Sequence, residues 1–171
     1  MKAHPAVLLP VVILAISCTA LPQGNDGYSR RSLFGLTGIQ VMVEVSLPPA
    51  MTGTVTDAEL EVEAERVLKR AGINVIDREK ANPLPGRPKL YFRVQAVQSP
   101  ELPLNAFSIE TGIAQKVQLA RDSSINVDAI TWSVYAIAVI ESSNLKQAAK
   151  TSIDRAADEF ISAFREQNPK K

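Results

Sequence analysis

Between Val127 and Ile140 the chain is apolar on both parities of an extended strand, with Ile130, Trp132, Val134 and Ile140 on one face and Val127, Tyr135, Ile137 and Val139 on the other. A half-buried strand alternates apolar and polar side chains, one face to the core and one to water. A strand apolar on both faces must be covered twice, either inside a layered fold or against a partner. Trp132, the sole tryptophan, has two readings: a core filler beneath helices, or an anchor in a partner interface, where tryptophan is enriched among the residues that dominate binding. Tyr91 and Tyr135 divide in the same way. With Ile137 they complete the set of candidate interface residues.

Elsewhere the apolar pattern is one-sided. Ile39, Val41, Val43, Val45 and Leu47 alternate with Gln40, Met42, Glu44 and Ser46, a half-buried strand stopped by Pro48-Pro49. Thr56 followed three residues later by Glu59 is a capping box, and Leu60, Ala64, Val67, Leu68 and Ala71 recur at helical spacing until Gly72. Ile73 to Asp77 reads as a short strand. After a loop carrying Pro83, Pro85, Gly86 and Pro88, a third strand holds Leu90, Phe92, Val94 and Ala96, and a long fourth one holds Phe107, Ile109, Thr111, Ile113, Val117 and Leu119. Ser142, Ser143 or Asn144 is placed to cap a last helix, whose stripe is Leu145, Ala149, Ile153, Ala156, Phe160 and Phe164. The order β-α-β-β-β-β-α predicts an α+β fold: a mixed sheet of about five strands with both helices packed on one face.

The start of the chain has another character. Lys2 precedes an apolar run from about Ala6 to Ile16, the parts of an export signal. The run is too short for a hydrocarbon core that needs about 20 residues. It leads into Leu14-Ala15-Ile16-Ser17-Cys18, and Cys18 is the only cysteine. This placement resembles the lipobox of bacterial lipoproteins, which implies removal of residues 1–17 and lipidation at Cys18. The alternative is a secretory signal cut after Ala20, leaving a periplasmic or secreted soluble protein. Residues 18–32 read as a flexible lipid-anchored tether reaching about 20 Å, 33–168 as a single α+β domain, and 169–171 as a disordered tail. Thr19 after the cysteine, rather than aspartate, implies the outer membrane by the sorting convention of Gram-negative lipoproteins.

Composition removes several function classes. Lys2 aside, the basic residues equal the 18 acidic ones, so clustered cations for nucleic acid are lacking. His4, the one histidine, leaves with the signal, and no second cysteine exists. Structural zinc sites of Cys and His, and Ser-His-Asp or Cys-His catalysis, are excluded on that basis, and no cofactor is implied. Gly35-Leu36-Thr37-Gly38 lacks the lysine and following helix of a phosphate loop. Ser143-Asn144-Leu145-Lys146 matches Ser-x-x-Lys, in which the lysine takes the serine proton. However, Lys150-Thr151-Ser152 falls on the same helix rather than on a facing strand, and no Ser-Asp-Asn occurs. Glu44, Glu110, Asp122 and Asp128 are the carboxylates in or beside strands. Glycoside hydrolysis needs two of them about 5 to 9.5 Å apart with one held protonated, and Glu44 and Glu110 lie on polar parities.

Taken in order, Leu33-Phe34-Gly35-Leu36-Thr37-Gly38-Ile39 running into Val43-Glu44, Leu68-Lys69-Arg70-Ala71-Gly72-Ile73 before Val75, Thr131-Trp132-Ser133, and Phe160 through Phe164 to Asn168-Pro169-Lys170 resemble a family of uncharacterised exported bacterial proteins. Relatives carry glycines after the tryptophan motif, where this chain has Val134, Tyr135 and Ala136. The resemblance implies a fold and an export route and supplies no activity. More distantly, the strand and helix ending in Ala-Gly-Ile before paired strands resemble envelope-assembly domains such as the curli secretion lipoprotein and the amino-terminal domain of the Tol translocation protein. The expectation is a non-catalytic envelope lipoprotein, held at a membrane through its lipid, that presents an α+β domain to an envelope protein or to copies of itself. Two alternatives stand beside it: a small-ligand-binding domain with a pocket between sheet and helices, and a carboxylate- or serine-dependent hydrolase.

Overall fold

The computed structural model describes residues 24–169; the segment read as an export signal, Cys18 and the last two lysines lie outside the described residues. Four strands, β1 (Gln40–Ser46), β2 (Lys89–Gln98), β3 (Leu104–Leu119) and β4 (Asp122–Glu141), form one sheet in the order β1-β2-β3-β4. β1 runs parallel to β2, and the other pairs are antiparallel. The long connection after β1 allows the parallel crossover, whereas short turns fold β2, β3 and β4 back on one another. The fold is α+β with a mixed sheet, as the element order implies.

The expected fifth strand is reduced to one contact. Val75 bridges Ile39 in parallel, with Ile39 N–H donating to Asn74 O at 3.0 Å and Ile76 N–H to Ile39 O at 2.9 Å. Asp77 then caps a short helical turn over Arg78–Ala81 by accepting from Lys80 N–H, and this turns the chain away before a ladder extends.

Helix α2 (Asp57–Arg70) carries the capping box expected of Thr56 and Glu59: Thr56 accepts from Glu59 N–H at 3.2 Å, and Glu59 accepts from Thr56 N–H at 3.3 Å. Its C-terminus turns at Gly72, where φ is 81°, a conformation that suits glycine. Thr56→Ala should therefore lower the unfolding free energy by about 1 kcal/mol, read as a shift of the urea midpoint at constant slope. The last helix, α3 (Leu145–Gln167), follows a 3-10 turn over Ser142–Asn144, and Asn144 makes no side-chain capping bond. Leu60, Ala64 and Leu68 of α2 and Leu145, Ala149, Ile153, Ala157 and Phe160 of α3 share one core with Leu90, Phe92, Val94, Phe107, Ile109 and Ile113 of the sheet. Both helices thus cover the same sheet face.

Strand register places Val41, Leu90, Ile113 and Trp132 in one row of that face. Trp132 is fully buried, its ring edge-on to Phe160 at 5.6 Å and 67°. The reading of Trp132 as an interface anchor is corrected: its parity points it beneath α3. A buried indole N–H needs an acceptor, and Asn25 Oδ1 supplies it at 2.9 Å. The described part of the segment expected to be a tether is accordingly docked. Gly24 O accepts from Ser133 N–H at 2.8 Å, Asp26 caps the first helix, α1 (Gly27–Arg31), and Arg30 bonds both Asn25 and Glu166.

Candidate interaction surface on the open sheet face

No described helix covers the other face of the sheet, and its side chains are set by the same register. Rows across β2, β3 and β4 read Arg93, Glu110, Tyr135; then Gln95, Ser108, Ile137; then Val97, Ala106, Val139. The face has a polar half and an apolar half. In the polar half Arg93 lies between Glu44 and Glu110, with Nε 3.4 Å from Glu44 and Nη1 3.5 Å from Glu110. Tyr91 donates its hydroxyl to Glu44 and accepts from Arg93 Nε at 2.6 Å, while the Arg93 guanidinium stands 5.1 Å from the Tyr91 ring centre.

These contacts fix the charge state of the group. The Tyr91 hydroxyl, followed by the positive Arg93, holds Glu44 below the usual carboxylate range. Burial, then the bond to Glu44, pushes Tyr91 up to about 12. Because the folded state keeps this proton beyond the ordinary tyrosine value near 10, its stabilising contribution is complete below about pH 10 and is lost between about pH 10 and 12. Glu44→Gln should bring the Tyr91 titration down, as followed by phenolate absorbance; an unchanged titration would leave burial as the sole cause.

The apolar half belongs to the end of β4. Tyr135, Ile137 and Val139 are 52%, 66% and 70% exposed, beside Val97 at 68%. Ala136 and Ala138, which point to the helix side, are exposed as well, so five successive apolar residues meet water on both faces. This stretch is also a sheet edge. Ser133 N–H points outward to Gly24 O, which sets the phase of the strand: the main-chain groups of Tyr135, Ile137 and Val139 face outward, while those of the even-numbered neighbours bond to β3.

The two edges of the sheet differ. On β1, Asp57 Oδ1 takes the outward Val45 N–H at 2.9 Å, and Val75 bridges Ile39. From Ala129 to Ile140, β4 carries no charge, proline or glycine, the devices that normally guard an edge.

The sequence-derived set is therefore split. Tyr135 and Ile137 come together on the exposed run, Trp132 lies on the buried face, and Tyr91 is engaged two strands away. Val139 shares the parity of Tyr135 and Ile137, a signal already present in the alternation. Val97 joins only through the register of β2 with β3 and β4. The catalytic candidates are occupied otherwise: Lys146 Nζ donates to Glu59 at 2.9 Å, Glu44 and Glu110 flank Arg93, and Asp122 accepts from Ser124 N–H at 2.9 Å. Among the described residues no group of three or more His, Cys, Asp or Glu is placed to hold a metal ion, and no helix is long and apolar enough to cross a membrane.

No protein-family model matches the chain, and no curated protein matches it. Among solved structures it is similar to a PelC dodecamer from Paraburkholderia phytofirmans, at 20% identity over 73% of this chain and 87% of that one, with a TM-score of 0.46. It is also similar to the hypothetical protein CT253 from Chlamydia trachomatis, at 10% identity over 78% and 96%, TM-score 0.36. A third likeness is to a neuraminyllactose-binding hemagglutinin homolog from Helicobacter pylori, at 13% identity over 78% and 82%, TM-score 0.31.

Proposed function

We propose that this chain is a non-catalytic lipoprotein of the cell envelope, anchored through Cys18, whose α+β domain presents the end of β4 to a protein partner. The observation that carries this reading is the run Tyr135-Ala136-Ile137-Ala138-Val139, exposed on both faces and along an unguarded edge. Consecutive exposed apolar residues on an edge strand are a liability unless something covers them. The polar half beside the run, with its charges already paired, suits a rim rather than a catalytic centre.

Two experiments test the two halves of the proposal. Intact-mass measurement of the membrane fraction should find an acylated amino-terminal Cys18; an unmodified chain starting at Leu21 contradicts the anchor. A benzophenone side chain placed at Tyr135 or Val97 in living cells should give a discrete protein adduct on irradiation, whereas one at Val62, exposed on α2, should not. Equal labelling from all three positions, or none from any, contradicts the docking role.

A further inference from the structure

We infer that the outer side of α1 is the surface by which the anchored domain sits on its phospholipid bilayer, with Tyr28 and Phe34 in the interface and Arg31 on lipid phosphate. This rests on the proposed lipid at Cys18 and names the side of the domain that the lipid holds against the membrane. Beyond α1 the chain continues in tight turns: Ser32, Leu33 and Phe34 N–H donate to Ser29, Arg30 and Arg31 O at 3.1, 3.0 and 3.1 Å. Bonds that reach back three residues bring every third side chain onto one side, so Tyr28, Arg31 and Phe34 share a stripe. The Arg31 guanidinium stands 5.8 Å from the Tyr28 ring centre. Among the described residues Tyr28 and Phe34 are the most exposed large apolar side chains, at 84% and 74%.

The opposite stripe fixes the segment to the body. Arg30 bonds Glu166, and Leu33 is fully buried. Asn168 clamps the end of the stripe, with Nδ2 donating to Leu33 O at 2.9 Å and Oδ1 accepting from Gly35 N–H at 2.8 Å. The outward aim of Tyr28, Arg31 and Phe34 is therefore set by the fold. The occupant follows from reach and chemistry. Only residues 18–23 separate the acylated cysteine from Gly24, a span of at most about 20 Å. Aromatic rings settle at headgroup level, and a cation beside them meets anionic lipid. Asp26 is engaged in the cap of α1, and Glu166 is bonded to Arg30, so Arg31 sets the charge of the stripe; Lys170 and Lys171 follow Asn168 and Pro169 in sequence. On β4, Asn25 meets Trp132, and Ile137 stands five residues further along the strand, about 17 Å away. A domain seated on α1 thus keeps the apolar run of β4 available to a protein partner.

The test uses the lipidated chain from the membrane fraction, placed in vesicles of phosphatidylcholine and phosphatidylglycerol. Acylation occupies the thiol of Cys18, the sole cysteine, so Phe34→Cys, Val62→Cys or Ile137→Cys each takes a single fluorescent label. Lipids carrying a doxyl quencher should dim the label in Phe34→Cys several-fold and leave those in Val62→Cys and Ile137→Cys unchanged. Adding Arg31→Gln should shift the balance of seated and released domain about fivefold toward release, the worth of one charge near an anionic surface, and vesicles of phosphatidylcholine alone should act in the same direction. No quenching in Phe34→Cys, or equal quenching at all three positions, overturns the inference in a chain whose intact mass shows the lipid, and leaves the anchor and the β4 docking role standing. Quenching that ignores both Arg31→Gln and lipid charge overturns it as well, because the tether alone would then hold the label near the bilayer. A mass without lipid removes the anchor and the inference together. A discrete protein adduct from a benzophenone at Tyr28 in living cells makes the occupant a protein and also overturns it.

Discussion

Trp132→Ala is expected to lower the unfolding free energy by about 3–5 kcal/mol, a large part of the roughly 5–15 kcal/mol that holds a domain of this size. The loss has three sources. The indole fills the fully buried end of the row Val41, Leu90, Ile113, Trp132. It presents an edge-on contact to Phe160. Its N–H ties Asn25, and with it the segment from Gly24, to the body. Urea unfolding measures the total, and amide exchange over Gly27–Arg31 isolates the third source, which Trp132→Phe should remove while keeping much of the packing. A loss under about 1 kcal/mol would mean that the tryptophan is not in the core.

Phe160→Ala should cost a similar amount, about 3–5 kcal/mol, because the ring is fully buried between Trp132 and Phe164, with centroids at 5.6 and 5.9 Å. The Trp132 and Phe160 losses should not add. A double-mutant cycle is expected to return a coupling of about 0.5–1.5 kcal/mol, the worth of an aromatic pair beyond its area. Ile137→Lys and Val139→Lys provide the contrast. Both side chains are exposed, so the stability of the single chain should change by no more than about 0.5 kcal/mol. Large apolar residues of one strand are thereby sorted into those that hold the fold and those that the fold of the single chain does not need.

Much of the architecture was legible in the alternation. The parities of β1, β2 and β3 gave their buried faces, Thr56 and Glu59 gave the start of α2, and the Leu145 to Phe164 stripe gave the face of α3. The segment around Val75 was not legible as a lone bridge, because Asp77 suits a helix cap as well as the end of a strand. The docking of Asn25 was hidden for a different reason: it answers the need of an indole more than a hundred positions away, and no local pattern records such a contact. The candidate interaction surface was half legible. The two-sided apolar run announced a second cover, but whether Trp132 or Tyr135 faces it depends on which parity α3 covers, and the place of Val97 depends on register.

Hydroxyl-radical footprinting in intact cells, compared with the purified chain at a dilution where it is monomeric, tests the central claim most directly. Coverage of the β4 edge predicts that labelling of Tyr135, Ile137 and Val139 falls several-fold in cells while Val62, exposed elsewhere on the body, labels equally in both. Equal labelling of Tyr135, Ile137 and Val139 in the two settings would contradict it.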